Sequence, residues 1–384
     1  MNWRVPLADL DYGPEEEAAV LDVLRSRWLT MGAVTQKFEQ KFSEFVGAKY
    51  SLAVSNATNA LHLACLGLGI GPGDEVIVPS LTFVATANAV LYSGAQVCFA
   101  DVVGPHDLNI CPQSIEKQIT PRTKAIIVVH YAGYPCQMPL IKELASCHGL
   151  AVIEDAAHAP GASLNGIPLG AWGDVGCFSF FSNKNMATGE GGMLVTNRED
   201  VAEKVRLLRS HGMTTLTLDR HYGHAYTYDV VDLGYNYRID EIRSALGLVQ
   251  LHKLAANNAR RKMITSKYWN AFNGTDVELP FYNSTGKPAY HIFPMLLPNG
   301  ADRKQFIDYL RAAGVQTSIH YPPIHRFSYY NQWYPDLCLP RTEDISRREV
   351  TLPLYPTMST DDIEVVVSAV RSALERIRHT QARA

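Results

Sequence analysis

Two charged side chains, each placed just after an apolar run, are the first residues in this sequence whose positions suggest chemistry. Asp155 closes the run AVIED, and Lys184 comes shortly after the apolar residues 178–181. Just past an apolar strand, a side chain lies at the carboxyl edge of an α/β sheet, where ligands bind. An acid and an amine facing one crevice are what pyridoxal phosphate (PLP) requires. The acid keeps the pyridine nitrogen protonated and the amine forms a Schiff base with the aldehyde.

The segments around these two residues alternate between short apolar strands and helices. The apolar runs lie at residues 51–54, 75–78, 97–100, 125–129 and 151–153. Because each run is continuously apolar, it predicts a parallel strand covered on both faces. We expect an α/β fold with three α-β-α layers and a mainly parallel central sheet over residues 12–250. A smaller C-terminal α+β domain is expected over 251–384, with residues 1–11 packed on it.

A Rossmann dehydrogenase shares this architecture and is the natural competitor. It requires the spacing G-x-G-x-x-G directly after a strand and at the start of a helix. The glycines at positions 67, 69, 71 and 73 lie at the end of a predicted helix and lack that spacing. The dinucleotide-binding alternative is therefore excluded.

A turn rich in short polar residues, at positions 55–59, opens the helix after the first strand. Such residues cap a helix start, where free backbone N–H groups can bind an anion. By itself the segment favours a plain N-cap. The functional alternative is a binding site for the cofactor phosphate.

The overall composition restricts the classes of function. The chain has 384 residues, 47% of them hydrophobic, and a formal net charge of −3, which gives no support for a nucleic-acid partner. No apolar run approaches the roughly 20 residues of a membrane helix, and no signal-peptide layout is present. Seven cysteines without a C-x-x-C pair predict free thiols and a cytoplasmic location.

A loop between residues 219 and 232 is rich in histidine and tyrosine. His221 and His224 lack a helical i, i+4 spacing and a cysteine partner, so the ligand-spacing rules do not predict a metal site. We expect this loop to lie at a boundary between subunits.

Taken together and in order, these residues resemble the DegT/StrS family of sugar aminotransferases, PLP enzymes with the aspartate-aminotransferase fold (fold type I). The resemblance runs from Gly32 to Leu354. It implies that Lys184 carries the Schiff base and, once released, moves a proton between substrate and cofactor. It also implies that Asp155 binds the pyridine nitrogen. A minority branch of the family has His in place of the lysine and performs dehydration, so Lys184 favours transamination.

The resemblance also implies roles for the remaining site residues. The implied cofactor contacts are Ala57, Thr58 and Asn59 in the phosphate-binding turn, Phe83 stacked on the pyridine ring, His158 beside it, Ser179 at the phosphate, and Asn236, which reaches the cofactor phosphate of a partner subunit. The family often has Gly where this chain has Ala57. The substrate contacts are expected to be Met31, Arg238 and His320. The implied assembly is a homodimer with two shared active sites.

The reaction that the resemblance implies moves an amino group from L-glutamate or L-glutamine to a keto sugar. The cofactor then alternates between PLP and pyridoxamine phosphate (PMP). The expected acceptor is a nucleotide-linked keto-deoxysugar of amino-sugar biosynthesis. A keto-cyclitol aminotransferase of the aminoglycoside type and a non-catalytic PLP-binding regulatory protein stay open as alternatives at this point.

Overall fold

The structure of the protein is a computed structural model that describes residues 3–215, 223 and 227–381. His221 and His224 of the predicted boundary loop lie outside the described residues. Within them, no helix has both the length and the apolar character needed to cross a membrane.

Helices and strands alternate over the first part of the chain. They are α1 (Pro14–Ser26), α2 (Ala33–Val46), β1 (Tyr50–Val54), α3 (Ala57–Gly67), β2 (Glu75–Pro79), α4 (Ala85–Tyr92), β3 (Gln96–Ala100), β4 (Val102–Gly104), β5 (Asp107–Ile110), α5 (Pro112–Gln118), β6 (Thr123–Val129), α6 (Met138–His148), β7 (Ala151–Asp155), β8 (Ser163–Leu164), β9 (Ile167–Pro168), β10 (Val175–Ser179), β11 (Gly192–Thr196) and α7 (Glu199–Leu208). The elements that follow are α8 (Glu241–Phe272), β12 (Phe293–Leu296), α9 (Arg303–Ala312), α10 (Ser328–Asn331), α11 (Pro340–Arg348), β13 (Glu349–Leu352) and α12 (Thr360–Gln381).

Seven of the strands form one sheet in the order β1-β11-β10-β7-β6-β2-β3. The pairs β10/β7, β7/β6, β6/β2 and β2/β3 are parallel, while β11 runs antiparallel to both of its neighbours. The strands other than β11 therefore share one direction. This confirms the predicted α/β fold with a mainly parallel central sheet.

Both faces of the sheet are buried, which explains why its strands read as continuous apolar runs. In β6, Ile127 packs in a cluster with Leu61 of α3, on one face. The preceding residue, Ile126, points to the opposite face and packs in a cluster with Phe38 of α2 and Ile141 of α6. Successive side chains of a strand point to opposite faces, so two covering helix layers require an apolar residue at every position.

A third hydrophobic cluster lies in the C-terminal part of the chain. It joins the two-stranded antiparallel sheet β12–β13 to α9, to α12 and to the C-terminal half of α8, through residues such as Phe293, Phe306 and Tyr268. Val5 forms a parallel bridge with Val315, which ties the N-terminal segment to this part.

Helix α8 connects the sheet region to the third cluster without interruption. It begins after Asp240, whose side chain accepts the backbone N–H of Arg243 as an N-cap, and it continues to Phe272. Residues 250 and 251, where the sequence placed the domain boundary, lie inside this single helix. The division into domains stays a prediction.

Candidate active site

The carboxyl ends of five parallel strands, β1, β2, β6, β7 and β10, meet at one edge of the sheet beside a cavity of about 440 Å³. The residues lining it include Asn56, Ala57, Thr58, Thr82, Phe83, Asp155, His158, Ser179, Asn183, Lys184, Glu190, His320 and Tyr321. Two larger cavities, of about 740 and 540 Å³, lie elsewhere and have no lysine among the described residues that line them. The structure therefore brings Asp155 and Lys184 to the same cavity.

Asp155 is the last residue of β7 and is only 6% exposed. One carboxylate oxygen, Oδ2, accepts the hydroxyl proton of Thr86 at 2.8 Å, and Oδ1 accepts the backbone N–H of Ala157 at 3.2 Å. Burial raises the pKa of Asp155, while these two hydrogen bonds and the charge of Lys184 act in the opposite direction. The result is a fixed, buried acid that can hold a protonated ring nitrogen.

Lys184 lies in the turn that follows β10, where its backbone N–H donates to the carbonyl of Phe181 at 2.8 Å. Burial lowers the pKa of its amine to about 8, and the carboxylate of Asp155 opposes the shift. A lysine of this kind keeps a usable neutral fraction near neutral pH, as a nucleophile or a base requires.

The next residue, Asn185, anchors this turn to the rest of the protein. Its Nδ2 donates to Oδ1 of Asn258 at 2.8 Å and to the carbonyl of Ala289 at 2.7 Å. Its Oδ1 lies 2.9 Å from Nδ1 of His291. These contacts fix the backbone from which the Lys184 side chain extends.

The N-terminus of α3 forms one wall of the cavity. Asn56 caps the helix by accepting the backbone N–H of Asn59 at 2.9 Å, and the Asn59 side chain donates to Ser55 at 2.7 Å. Asn59 is thereby used inside the turn and does not line the cavity, whereas Ala57 and Thr58 do. Strand β11 passes close behind this turn, since a Cβ on Gly192 would lie 2.8 Å from the backbone nitrogen of Ala57.

His158 is buried beside the cavity, and Phe83 is exposed over it. The His158 Nδ1 accepts the backbone N–H of Ala132 at 3.3 Å, and its Nε2 lies 3.2 Å from the hydroxyl of Tyr321. Burial, reinforced by the charge of Lys184, keeps the pKa of His158 well below its ordinary value, so the ring is neutral. Phe83 precedes α4 and is 58% exposed, which leaves its ring available to a ligand.

Besides Asn59, three predicted residues lie away from the cavity, whereas His320 lines it. Met31, Asn236 and Arg238 do not line the cavity of a single chain. Met31 is buried just before α2, and Asn236 is exposed on the segment before α8. His320 does line the cavity, but its Nδ1 is hydrogen-bonded to the hydroxyl of Thr351 at 2.8 Å. The substrate and cofactor roles of these residues stay predictions.

The structure adds residues that the sequence reasoning missed. Thr86 holds the carboxylate of Asp155, and Tyr321 holds the ring of His158. Asn183, next to Lys184, lines the cavity with a buried Oδ1 that has no hydrogen-bond partner among the described residues. Adjacency to Lys184 was the available signal for Asn183, whereas the Thr86 contact depends on the strand order.

Comparisons with known proteins agree with the geometry of the site. A model of the DegT/DnrJ/EryC1/StrS aminotransferase family matches residues 11–371. The chain belongs to this family. The spore coat polysaccharide biosynthesis protein SpsC of Bacillus subtilis is 40% identical to it over 371 residues, which span 94% of this chain and 95% of SpsC.

Solved structures of aminotransferases are similar over almost the whole chain. DesV of S. venezuelae, solved in complex with a ketimine intermediate, superposes with a TM-score of 0.90 at 34% identity and covers 97% of this chain and 99% of its own. Helicobacter pylori PseC, an aminotransferase involved in the biosynthesis of pseudoaminic acid, has a TM-score of 0.89 at 31% identity with the same coverage. The protein is thus a PLP-dependent sugar aminotransferase of the DegT/DnrJ/EryC1/StrS family.

The residues present fit the cofactor of this family. Asp155 supplies the acid for a pyridine nitrogen and Lys184 the amine for an aldehyde, and the start of α3 supplies N–H groups for a phosphate. The unpaired buried Oδ1 of Asn183 is an acceptor that a ligand donor would satisfy. Among the described residues, no group of three or more His, Cys, Asp or Glu side chains could hold a metal ion.

Proposed function

We propose that this protein transfers an amino group from L-glutamate or L-glutamine to a nucleotide-linked keto-deoxysugar in amino-sugar biosynthesis. The observation that carries the proposal is that Asp155, at the end of β7, and Lys184, in the turn after the neighbouring strand β10, line one cavity at the carboxyl edge of the sheet. The names of SpsC, for spore coat polysaccharide biosynthesis, and of PseC, for the biosynthesis of pseudoaminic acid, favour a sugar as the acceptor.

When bound, PLP supplies an electron sink for negative charge on the carbon that carries the transferred nitrogen. Lys184 would hold the cofactor through its amine. With a pKa lowered to about 8, this amine could also act as the base that takes a proton from that carbon and later gives it back. Asp155 would hold the protonated pyridine nitrogen, which is the form of the ring that accepts electrons.

The other proposed site residues would contact either the phosphate or the pyridine ring of the cofactor. Thr58, Ser179 and the backbone at the start of α3 would bind the phosphate, with Asn236 of a partner subunit completing that site. Phe83 and His158 would lie beside the pyridine ring. The exposed position of Asn236 supports its role toward a second subunit, because none of the described residues buries it.

The experiment that tests the cofactor assignment is a visible absorption spectrum before and after addition of L-glutamate. The purified protein should show the band of lysine-bound PLP and lose it as PMP forms. Lys184→Ala should lack the band and the activity and stay folded. Lys262→Ala, which removes an exposed lysine of α8, is the matched control and should behave as wild type. A Lys184→Ala protein that keeps band and activity would refute the assignment.

The acceptor is tested with keto-deoxysugars linked to UDP, dTDP or GDP, added to the PMP form. A matching sugar should restore the band, and the corresponding free nucleotide should bind. Restoration by a keto-cyclitol alone, without nucleotide binding, would replace the proposed acceptor with the aminoglycoside type.

A further inference from the structure

Tyr321 lines the cavity, and its hydroxyl donates its proton to none of the described residues. Its oxygen is 3.2 Å from Nε2 of His158, and the described residues provide no second hydrogen-bond partner. The other nitrogen of His158 decides which atom donates, because Nδ1 accepts the backbone N–H of Ala132 at 3.3 Å. A neutral imidazole carries one proton, so that proton is on Nε2. Nε2–H therefore donates to the Tyr321 oxygen.

The protonation states of both groups preserve this direction. Burial, with a contribution from Lys184, keeps the pKa of His158 well below its ordinary value, so the ring does not gain a second proton. Burial also raises the pKa of Tyr321 far above its ordinary value, so the phenol keeps its proton. A hydroxyl that accepts one hydrogen bond is polarised and donates its own proton more strongly.

The backbone before Tyr321 is held from both sides, which fixes the position of the hydroxyl. The N–H of His320 donates to Oε2 of the buried Glu349 at 2.8 Å, and the hydroxyl of Tyr131 donates to the His320 carbonyl. The Tyr321 ring also packs against Phe83, with 6.1 Å between the ring centroids. A donor fixed in this way needs no reorganisation when a ligand arrives.

We propose that the Tyr321 hydroxyl donates a hydrogen bond to the carbonyl oxygen of the keto acceptor, and that His158 orients it through Nε2–H. The inference rests on the proposed function. The other hydroxyl groups that line the cavity have different surroundings. The hydroxyl of Thr82 is hydrogen-bonded to Thr86. Thr58 lies on the first turn of α3, and Ser179 pairs with Gly192 behind that turn, so both belong to the proposed phosphate site. Tyr321 is thus the donor left for the acceptor.

A hydrogen bond to that oxygen would hold the acceptor and polarise the bond that the incoming amine attacks. The keto acceptor takes no part in the donor half-reaction, in which L-glutamate supplies the nitrogen. Removing the hydroxyl should therefore affect one half-reaction far more than the other, and this asymmetry separates the proposed role from a general structural one.

The test uses Tyr321→Phe, which removes only the oxygen. The probes are the UDP-, dTDP- or GDP-linked 4-keto-6-deoxyhexose that the wild-type protein aminates and its 4-hydroxy and 4-deoxy analogues. The variant should keep the PLP band and the glutamate half-reaction, and its acceptor half-reaction should slow about 100-fold, as on loss of one oxyanion donor. Calorimetry on the PMP form should show about fivefold weaker binding of the 4-hydroxy analogue, as on loss of one hydrogen bond, and unchanged binding of the 4-deoxy analogue.

Tyr334→Phe is the matched control, because it removes a hydroxyl that donates to the carbonyl of Val97 away from the cavity. It should leave both half-reactions unchanged. Unchanged kinetics and binding in Tyr321→Phe would overturn the inference. Equal losses in both half-reactions would also overturn it and assign the hydroxyl to the cofactor. If the wild-type protein aminates no keto-deoxysugar linked to UDP, dTDP or GDP, the proposed acceptor class fails and the inference with it.

Discussion

The amine of Lys184 lies in a cavity that removes much of its hydration, and this lowers its pKa from 10.5 to about 8. Burial acts on the neighbouring groups in the corresponding directions, since it raises the pKa of Asp155 and lowers that of His158. In each case burial disfavours the charged form of the group, and the pKa shifts accordingly. The hydrogen bonds from Thr86 and Ala157 then keep the Asp155 carboxylate available despite its burial.

The pKa of Lys184 predicts how attachment of PLP to the cofactor-free protein depends on pH. Only the neutral amine reacts, and its fraction grows as the pH rises through the pKa. The rate of band formation in stopped-flow mixing should therefore rise up to about pH 8 and level off above it. Asp155→Asn removes the charge that raises this pKa, so its midpoint should move to lower pH. A rate still rising steeply above pH 9 would show that burial does not control this lysine.

Thr86 gives a second prediction at the scale of single residues. Thr86→Val removes the hydroxyl that donates to Asp155 and keeps the shape, so the pKa of Asp155 rises and less of the carboxylate form is available to the pyridine nitrogen. The glutamate half-reaction should slow about tenfold while the PLP band remains. This is the size of effect expected from the loss of one hydrogen bond to a charged group. Stopped-flow absorbance measures the rate.

The matched control for Thr86→Val is Thr265→Val. Thr265 is fully buried in α8, and its hydroxyl has no partner among the described residues. That change should leave the half-reaction unaffected. Equal rates in Thr86→Val and wild type would mean that Asp155 does not need this hydrogen bond.

At the scale of elements, the proposed phosphate site depends on how closely β11 approaches the start of α3. Gly192 of β11 passes so near this turn that a Cβ would lie 2.5 Å from the backbone carbon of Asn56. The glycine-rich segment after Lys184 therefore serves packing between a strand and a helix N-terminus. Its effect on the site is indirect, through the placement of the N–H groups of Ala57 and Thr58.

Gly192→Ala should displace the first turn of α3 and weaken binding of PLP. A clash of this size in a packed region costs about 1–3 kcal/mol, so the dissociation constant of PLP should rise about tenfold. Titration of the cofactor-free protein with PLP measures this constant. Gly71→Ala is the control, because its nearest contact would be an ordinary 3.8 Å to the carbonyl of Ser93. An unchanged constant in Gly192→Ala would remove α3 from the phosphate site.

At the scale of the whole molecule, the segment before Asn236 exposes apolar side chains to solvent. Val230, Val231 and Leu233 are 56%, 55% and 81% exposed. Exposed apolar residues clustered in this way are typical of a surface that a partner covers. They lie next to the residue that we expect to reach a second active site, which supports a dimer with shared sites.

Mixed dimers test this sharing directly. A subunit with Lys184→Ala paired with a subunit with Asn236→Ala forms one doubly defective site and one site with both residues intact if the sites are shared. Co-expressed and purified with two tags, this dimer should bind PLP at one site with wild-type affinity. A dimer of two Asn236→Ala subunits is the control, with weakened binding at both sites. Failure of the mixed dimer to regain a wild-type site would place Asn236 outside the partner's site.

The sequence by itself determined the sheet architecture and the two central residues. Continuous apolar runs predict buried parallel strands, and Asp155 and Lys184 each follow such a run, so local pattern was sufficient to place both at the same edge. The resemblance carried by the ordered motifs then indicated the family, which the family model confirmed over residues 11–371.

Only the tertiary structure decided which groups surround these two residues. Thr86 and Asp155 are 69 positions apart, and His158 and Tyr321 are 163 apart. Their contacts depend on the order of the strands and on how the C-terminal part folds back over the sheet edge, which no local pattern encodes. For the same reason the sequence indicated His320 but not its neighbour Tyr321, and the structure places both at the cavity.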